Sequence, residues 1–155
     1  MASTISAATL TVTLTETVTL NGYDQGSKNT ISYASISDVM KRVVTCPANA
    51  TTTLLSFGAA VSGNTAGIID YDNAKYIRVT NLDDTETLEL AVVGDATLYQ
   101  VSLRTGESHV LGGPTGLMLA EADTSPSFGT MSELSNISVT PGSNAIDVEV
   151  FVASA

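Results

Sequence analysis

The chain has 155 residues, 43% of them hydrophobic and 14% charged, with 16 acidic against 6 basic residues and a net charge of −10. This length suits one domain with a core of its own, and the apolar content excludes a charged, disordered chain. The acidic balance excludes direct nucleic-acid binding, which needs clustered Lys and Arg, and argues against anionic membrane surfaces.

Cys46 is the single cysteine, so no intramolecular disulfide framework exists. The start, MASTISAATL, lacks the basic and apolar regions of a secretory signal. No apolar run approaches the roughly 20 residues needed to span a membrane as a helix. A protein made in the cytoplasm and not exported by the usual route is expected.

Residues 1–8 are small and polar and read as a flexible N-terminal arm, with residues 9–155 as a single β-sandwich domain. The arm residues Ala2, Ser3, Thr4 and Ile5 are candidate partner contacts. Leu10, Val12, Leu14, Val18 and Leu20 then alternate with threonines. A period of two belongs to a strand, because successive side chains point to opposite faces. Glu16 interrupts the apolar face, so one long strand or two strands bent at Glu16 are expected. Asn21 to Thr30 reads as a long loop opened by an Asn-Gly turn. Tyr23 and Asp24 in it are candidate partner contacts.

Ser35 to Arg42 has the form of a short helical turn capped by Ser37. The β-branched Val43, Val44 and Thr45 favour instead a strand from about Val39 to Cys46, which Pro47 ends. Thr52 to Phe57 is another strand, and Gly58 to Gly67 is a loop. Ile68 and Ile69 form a short apolar element before the turn Asp70-Tyr71-Asp72-Asn73.

Lys75 to Leu111 carries the clearest pattern. Ile77 and Val79 share one face, then Leu88, Leu90 and Val92, then Tyr99, Val101 and Leu103, with polar turns between. The segment reads as a β-meander. Leu117 to Leu119 reads as a short strand and Glu121 to Thr130 as a second long loop, whose Phe128 is a candidate partner contact. Ile137 and Val139 precede a final strand from Ile146 to Val152, and Pro141 to Asn144 reads as a hairpin turn between them. The whole predicts an all-β, antiparallel β-sandwich of about nine or ten strands.

Chemistry-bearing groups are sparse. His109 is the only histidine, which excludes a multi-histidine metal centre. Gly106-Glu107-Ser108-His109-Val110 has part of a nucleophile-elbow pattern, but Val110 stands where the second Gly belongs and the surroundings read as strand. No catalytic residue and no cofactor are assigned. Asp70, Asp72, Asp83 and Asp84 offer oxygen ligands for a structural calcium ion, without EF-hand spacing; solvated turns are the simpler reading. Cys46 reads as a small buried hydrophobe. A sugar-stacking platform would draw on the five tyrosines, since there is no Trp.

The run from Asp70 to Asp83, DYDNAKYIRVTNLD, resembles a segment of small β-sandwich virion proteins of tailed bacteriophages. Val18 to Gly22, Arg42 to Thr45 and Leu98 to Gly106 are similar to the same proteins, so the resemblance covers about Val12 to Leu111. It implies a non-enzymatic capsid decoration or cement protein, jelly-roll-like and trimeric, that braces capsomers. It further implies the major capsid protein as partner, homotrimerisation, and a place on the capsid surface of the virion after synthesis in the host cytoplasm. The alternatives are a neck or tail component of the virion and a carbohydrate-binding β-sandwich module.

Overall fold

A computed structural model describes residues 6–59, 67–94, 97–120 and 128–155. Among them are thirteen strands and no helix. The first four are β1 (Ala8–Glu16), β2 (Thr19–Leu20), β3 (Tyr23–Asp24) and β4 (Ser27–Ile36). The next five are β5 (Asp38–Cys46), β6 (Thr52–Gly58), β7 (Ile68–Asp70), β8 (Ala74–Asn81) and β9 (Leu88–Gly94). The chain ends with β10 (Leu98–Leu103), β11 (Ser108–Leu111), β12 (Leu134–Pro141) and β13 (Ile146–Ser154).

β5 to β13 build the sandwich. One sheet has the order β10-β9-β12-β6-β7, the other β11-β8-β13-β5. With the short β7 set aside, the pairing follows one rule. The first strand pairs with the last, β5 with β13, then β6 with β12, β8 with β11 and β9 with β10. This is a long antiparallel hairpin rolled up and closed by the pairs β8·β13 and β9·β12. The result is a jelly roll. The one parallel pair is β6 with the edge strand β7.

The core lies between the sheets. Ile77, Val79, Val148 and Val150 of one sheet meet Leu88, Leu90, Ile137 and Val139 of the other, all at most 1% exposed. Twenty buried residues form this one cluster. Each large side chain so buried contributes about 1.5–3 kcal/mol relative to exposure, which makes this cluster the main source of stability.

β1 and β4 stand outside the sandwich as a two-stranded antiparallel ribbon, with Leu10 opposite Tyr33 and Glu16 opposite Ser27. Its tip is β2 and β3, joined by Asn21 and Gly22 at φ 51° and 83°. Two successive positive φ values make the tight turn that Asn-Gly favours. At its base the ribbon lies on the outer face of the β11-β8-β13-β5 sheet. There Ile36 joins Tyr76 and Ala153 in a second, three-residue cluster, with Leu10, Val12, Tyr33 and Phe151 against it. The Tyr76 ring lies 5.9 Å from both Tyr33 and Phe151.

The all-β sandwich and the strand faces of Lys75 to Leu111 agree with the sequence reading. Its neighbours do not. That segment is not a meander: β8 and β11 lie in one sheet while β9 and β10 lie in the other. Pro141 to Asn144 joins strands of different sheets, not a hairpin. A period of two states which face of a strand is buried and is silent on which strand lies beside it. Leu117 to Leu119 forms only an isolated bridge, Met118 to Ser132. Asn21 to Thr30 is not one loop, since it holds β3 and the start of β4. Thirteen strands stand where about nine or ten are expected, chiefly because β3 and β4 fall in and after the stretch read as one loop.

Candidate functional site

β11 pairs with β8 so that His109 lies opposite the buried Val79, while Ser108 lies opposite Thr80. Adjacent strand residues point to opposite faces. Ser108 therefore faces outward, where its hydroxyl meets that of Thr80 at 2.7 Å. His109 faces inward, with Nε2 2.9 Å from the Tyr99 hydroxyl. Burial lowers the imidazole pKa and raises that of Tyr99. The tautomer of the ring sets which of the two groups donates. Ser108 and His109, neighbours in sequence, are thus on opposite sides of a sheet and do not form a nucleophile–base pair.

The acidic turns also stay apart. Asp70 and Asp72 precede β8, and Asp83 and Asp84 follow it. A strand of eight residues spans about 26 Å at ~3.3 Å per residue. The Asp70 carboxylate accepts the Asp72 amide at 3.0 Å and the Asn73 side-chain amide at 2.8 Å. Asp83 Oδ1 accepts the amides of Thr85 and Glu86 at 2.9 and 2.7 Å, and these bonds lower its pKa. These are turn-closing carboxylates. Among the described residues no group of three or more His, Cys, Asp or Glu is placed to hold a metal ion. Cys46 is fully buried, and burial raises its thiol pKa, the reverse of what a nucleophilic thiolate needs.

The outer face of the β11-β8-β13-β5 sheet carries a polar network beside the ribbon. Glu149 accepts from Arg78 and pairs with Lys41 at 3.1 Å. The hydrogen bond from Arg78, then that from Lys41, holds its carboxyl below the usual range. Arg78 also donates to the Thr80 hydroxyl. A shallow groove runs between this network and the ribbon, lined by Leu10, Val12, Tyr76, Arg78 and Phe151.

The ribbon is the feature with unspent chemistry. Leu10 and Val12 are half-buried on the sheet, but Leu14, on the same face, is 61% exposed. Ile31, opposite Val12, is also exposed. At the tip Leu20 and Tyr23 are paired directly and are 61% and 73% exposed. Neighbouring Asp24 uses one carboxylate oxygen to accept the Gly26 amide at 2.8 Å. Of the predicted partner contacts, Tyr23 and Asp24 therefore sit together at the ribbon tip. Phe128 is almost fully exposed on a separate loop. Ala2, Ser3, Thr4 and Ile5 lie outside the described residues.

Sequence reasoning missed that Leu14, Ile31 and Leu20 belong to a surface. Their alternation with threonine is indistinguishable from that of a core strand. The available signal was Asn21-Gly22 midway between two runs of similar length, which marks a hairpin able to fold on itself. It also missed Val39 and Val43 on the outer face of β5. No protein-family model, curated protein or solved structure matches the chain.

Proposed function

We propose that this chain is a non-enzymatic structural protein of a tailed-bacteriophage particle, in the first place a capsid decoration or cement protein that braces capsomers. The observation that carries this reading is the ribbon. A jelly-roll body with a core of its own extends a hairpin whose distal apolar residues, Leu14, Leu20, Tyr23 and Ile31, are exposed among the described residues. Large exposed apolar patches mark interaction surfaces. The resemblance of Asp70 to Asp83 to small phage virion proteins points the same way. On this reading the body sits on the outer surface of the capsid, the partner is the major capsid protein, the assembly is a trimer, and synthesis takes place in the host cytoplasm. The acidic surface suits a place away from packaged DNA.

A neck or tail component draws on the same ribbon and differs in copy number. Quantitative mass spectrometry of purified particles separates the two. On the order of hundreds of copies per particle places the chain on the head, and a small ring number places it at the neck or tail. Absence from particles overturns both. A carbohydrate module is less well supported: of the five tyrosines only Tyr23 is strongly exposed, so the described residues offer no aromatic platform.

A further inference from the structure

We propose that Asn21-Gly22, at the tip of the ribbon, is a site of spontaneous covalent modification, in which Asn21 loses its side-chain amide and becomes aspartate or isoaspartate. The inference concerns the purified chain alone and does not rest on the virion reading.

The reaction needs only water as co-reactant. The Gly22 backbone nitrogen attacks Cγ of Asn21 and closes a cyclic imide. The bond from Cγ to the side-chain nitrogen breaks, and that nitrogen leaves as ammonia with the proton from the Gly22 N–H. Water then adds to one of the two imide carbonyls and opens the ring. Cleavage at Cγ restores the ordinary main chain with aspartate at position 21. Cleavage at the backbone carbonyl leaves the main chain running through Cγ, which is isoaspartate.

The structure singles out this asparagine. Gly22 has no Cβ to shield its nitrogen, and even a Cβ placed there would meet nothing within 4 Å. Both residues are exposed. None of the hydrogen bonds among the described residues holds the Asn21 side chain or the Gly22 N–H. The side-chain amides of Asn73, Asn81, Asn136 and Asn144, in contrast, each donate to a neighbour. Asn49 is the closest internal comparison. It is exposed and has a positive φ of 53°, against 51° at Asn21, but Ala50 follows it.

Ring closure requires the Asn21 side chain to swing over the Gly22 nitrogen, so the turn opens as it reacts. Two residue pairs hold it, Thr19 with Asp24 and Leu20 with Tyr23. So short a ladder at an exposed end opens far more cheaply than the sandwich unfolds. Opening also releases Asn21 from the left-handed region, which is uphill for an L side chain. The products differ in effect. Aspartate tolerates positive φ and keeps the turn. Isoaspartate lengthens the main chain between Leu20 and Tyr23 and breaks the two-residue loop. Either adds a negative charge to the −10 of the chain.

The test ages the full-length chain at neutral and at mildly alkaline pH, beside a peptide spanning residues 19–24. Peptic digestion in acid and mass spectrometry then locate the amide-to-acid change, and chromatography separates aspartate from isoaspartate. Conversion is expected at Asn21 in the folded chain, faster at the higher pH because the attacking nitrogen must lose its proton. It should yield both products and take one oxygen from isotopically labelled water. Asn49 should stay intact over the same time. In the isoaspartate form, hydrogen exchange should accelerate at Leu20 and Tyr23 and stay unchanged in β8, β9 and β13. A folded chain that keeps Asn21 intact while the peptide converts overturns the proposal, because the turn then protects the site. Equal conversion at Asn49 overturns it as well, since Gly22 would then play no part. Asn21→Gln, which retains the amide but moves it one carbon further from the Gly22 nitrogen, should abolish the reaction, and conversion that persists at position 21 overturns the mechanism.

Discussion

The Tyr99 hydroxyl and the Nε2 of His109 meet at 2.9 Å across the two sheets of the sandwich, Tyr99 from β10 and His109 from β11. Their rings are 5.8 Å apart in an edge-on arrangement. This polar contact lies where the rolled hairpin turns from one sheet to the other, joined by the short loop Arg104 to Glu107.

The burial of His109 gives the fold a pH dependence. Burial lowers the His109 pKa below its ordinary value of about 6.5. The unfolded chain therefore takes up the proton first, and stability rises with pH through this range. His109 contributes full stability above about pH 6.5, and that contribution is lost as pH falls through its lowered folded value. Thermal unfolding at a series of pH values should show this loss, and His109→Phe should abolish it. A second loss at lower pH, from Glu149 and Asp83, should persist in the variant, because hydrogen bonding lowers both their carboxyl pKa values. Identical profiles for the two proteins would exclude His109 as the source.

Asn81 is fully buried and ties three connections together. Its side-chain amide donates to the carbonyls of Glu86 and Leu103 at 2.9 and 3.0 Å, and its oxygen accepts the Asp83 amide at 3.0 Å. Its backbone exchanges hydrogen bonds with Gly106 and Glu107. Asn81→Ala leaves several polar groups unpartnered and should cost about 3 kcal/mol in denaturant unfolding. A cost under about 0.5 kcal/mol, the size of an ordinary surface change, would show that water replaces the amide.

Leu90 and Leu14 sit in similar alternating runs with opposite outcomes. Leu90 is fully buried between the sheets and Leu14 is exposed on the ribbon. Leu90→Ala should destabilise by about 2–5 kcal/mol through the lost burial and the cavity left behind. Leu14→Ala should change the unfolding free energy of the single chain by less than about 0.5 kcal/mol. Equal costs in chemical denaturation would contradict the placement of the ribbon outside the core.

Gly26 closes the ribbon near its tip. A Cβ there would collide with the carbonyl oxygen of Glu16, a backbone atom that cannot swing aside as a flexible side chain can. Gly26→Ala should open the end of the β1·β4 ladder. Hydrogen exchange at Glu16 and Ser27 should accelerate while exchange in β8, β9 and β13 stays unchanged. Acceleration spread through the sandwich would show that the ribbon and the core unfold as one unit.

The sequence by itself determined the all-β class, most strand positions and, within Lys75 to Leu111, the face each strand buries. Those properties are local: alternation follows from the pleat of one strand, and turns follow from Asn, Asp, Gly and Pro in short stretches. Pro47 after β5 and the positive φ at Asn21-Gly22 are examples. Only the tertiary structure decided that β5 pairs with β13, far along the chain, and that β8 and β9 part into different sheets. It alone separated Ser108 from His109 and left Leu14, Leu20 and Tyr23 on a ribbon beyond the core. The physical reason is that an apolar face is a demand for burial without an address. The same Leu-Thr alternation serves a core strand or an outward ribbon, and which one results depends on the surfaces that the rest of the folded chain leaves free.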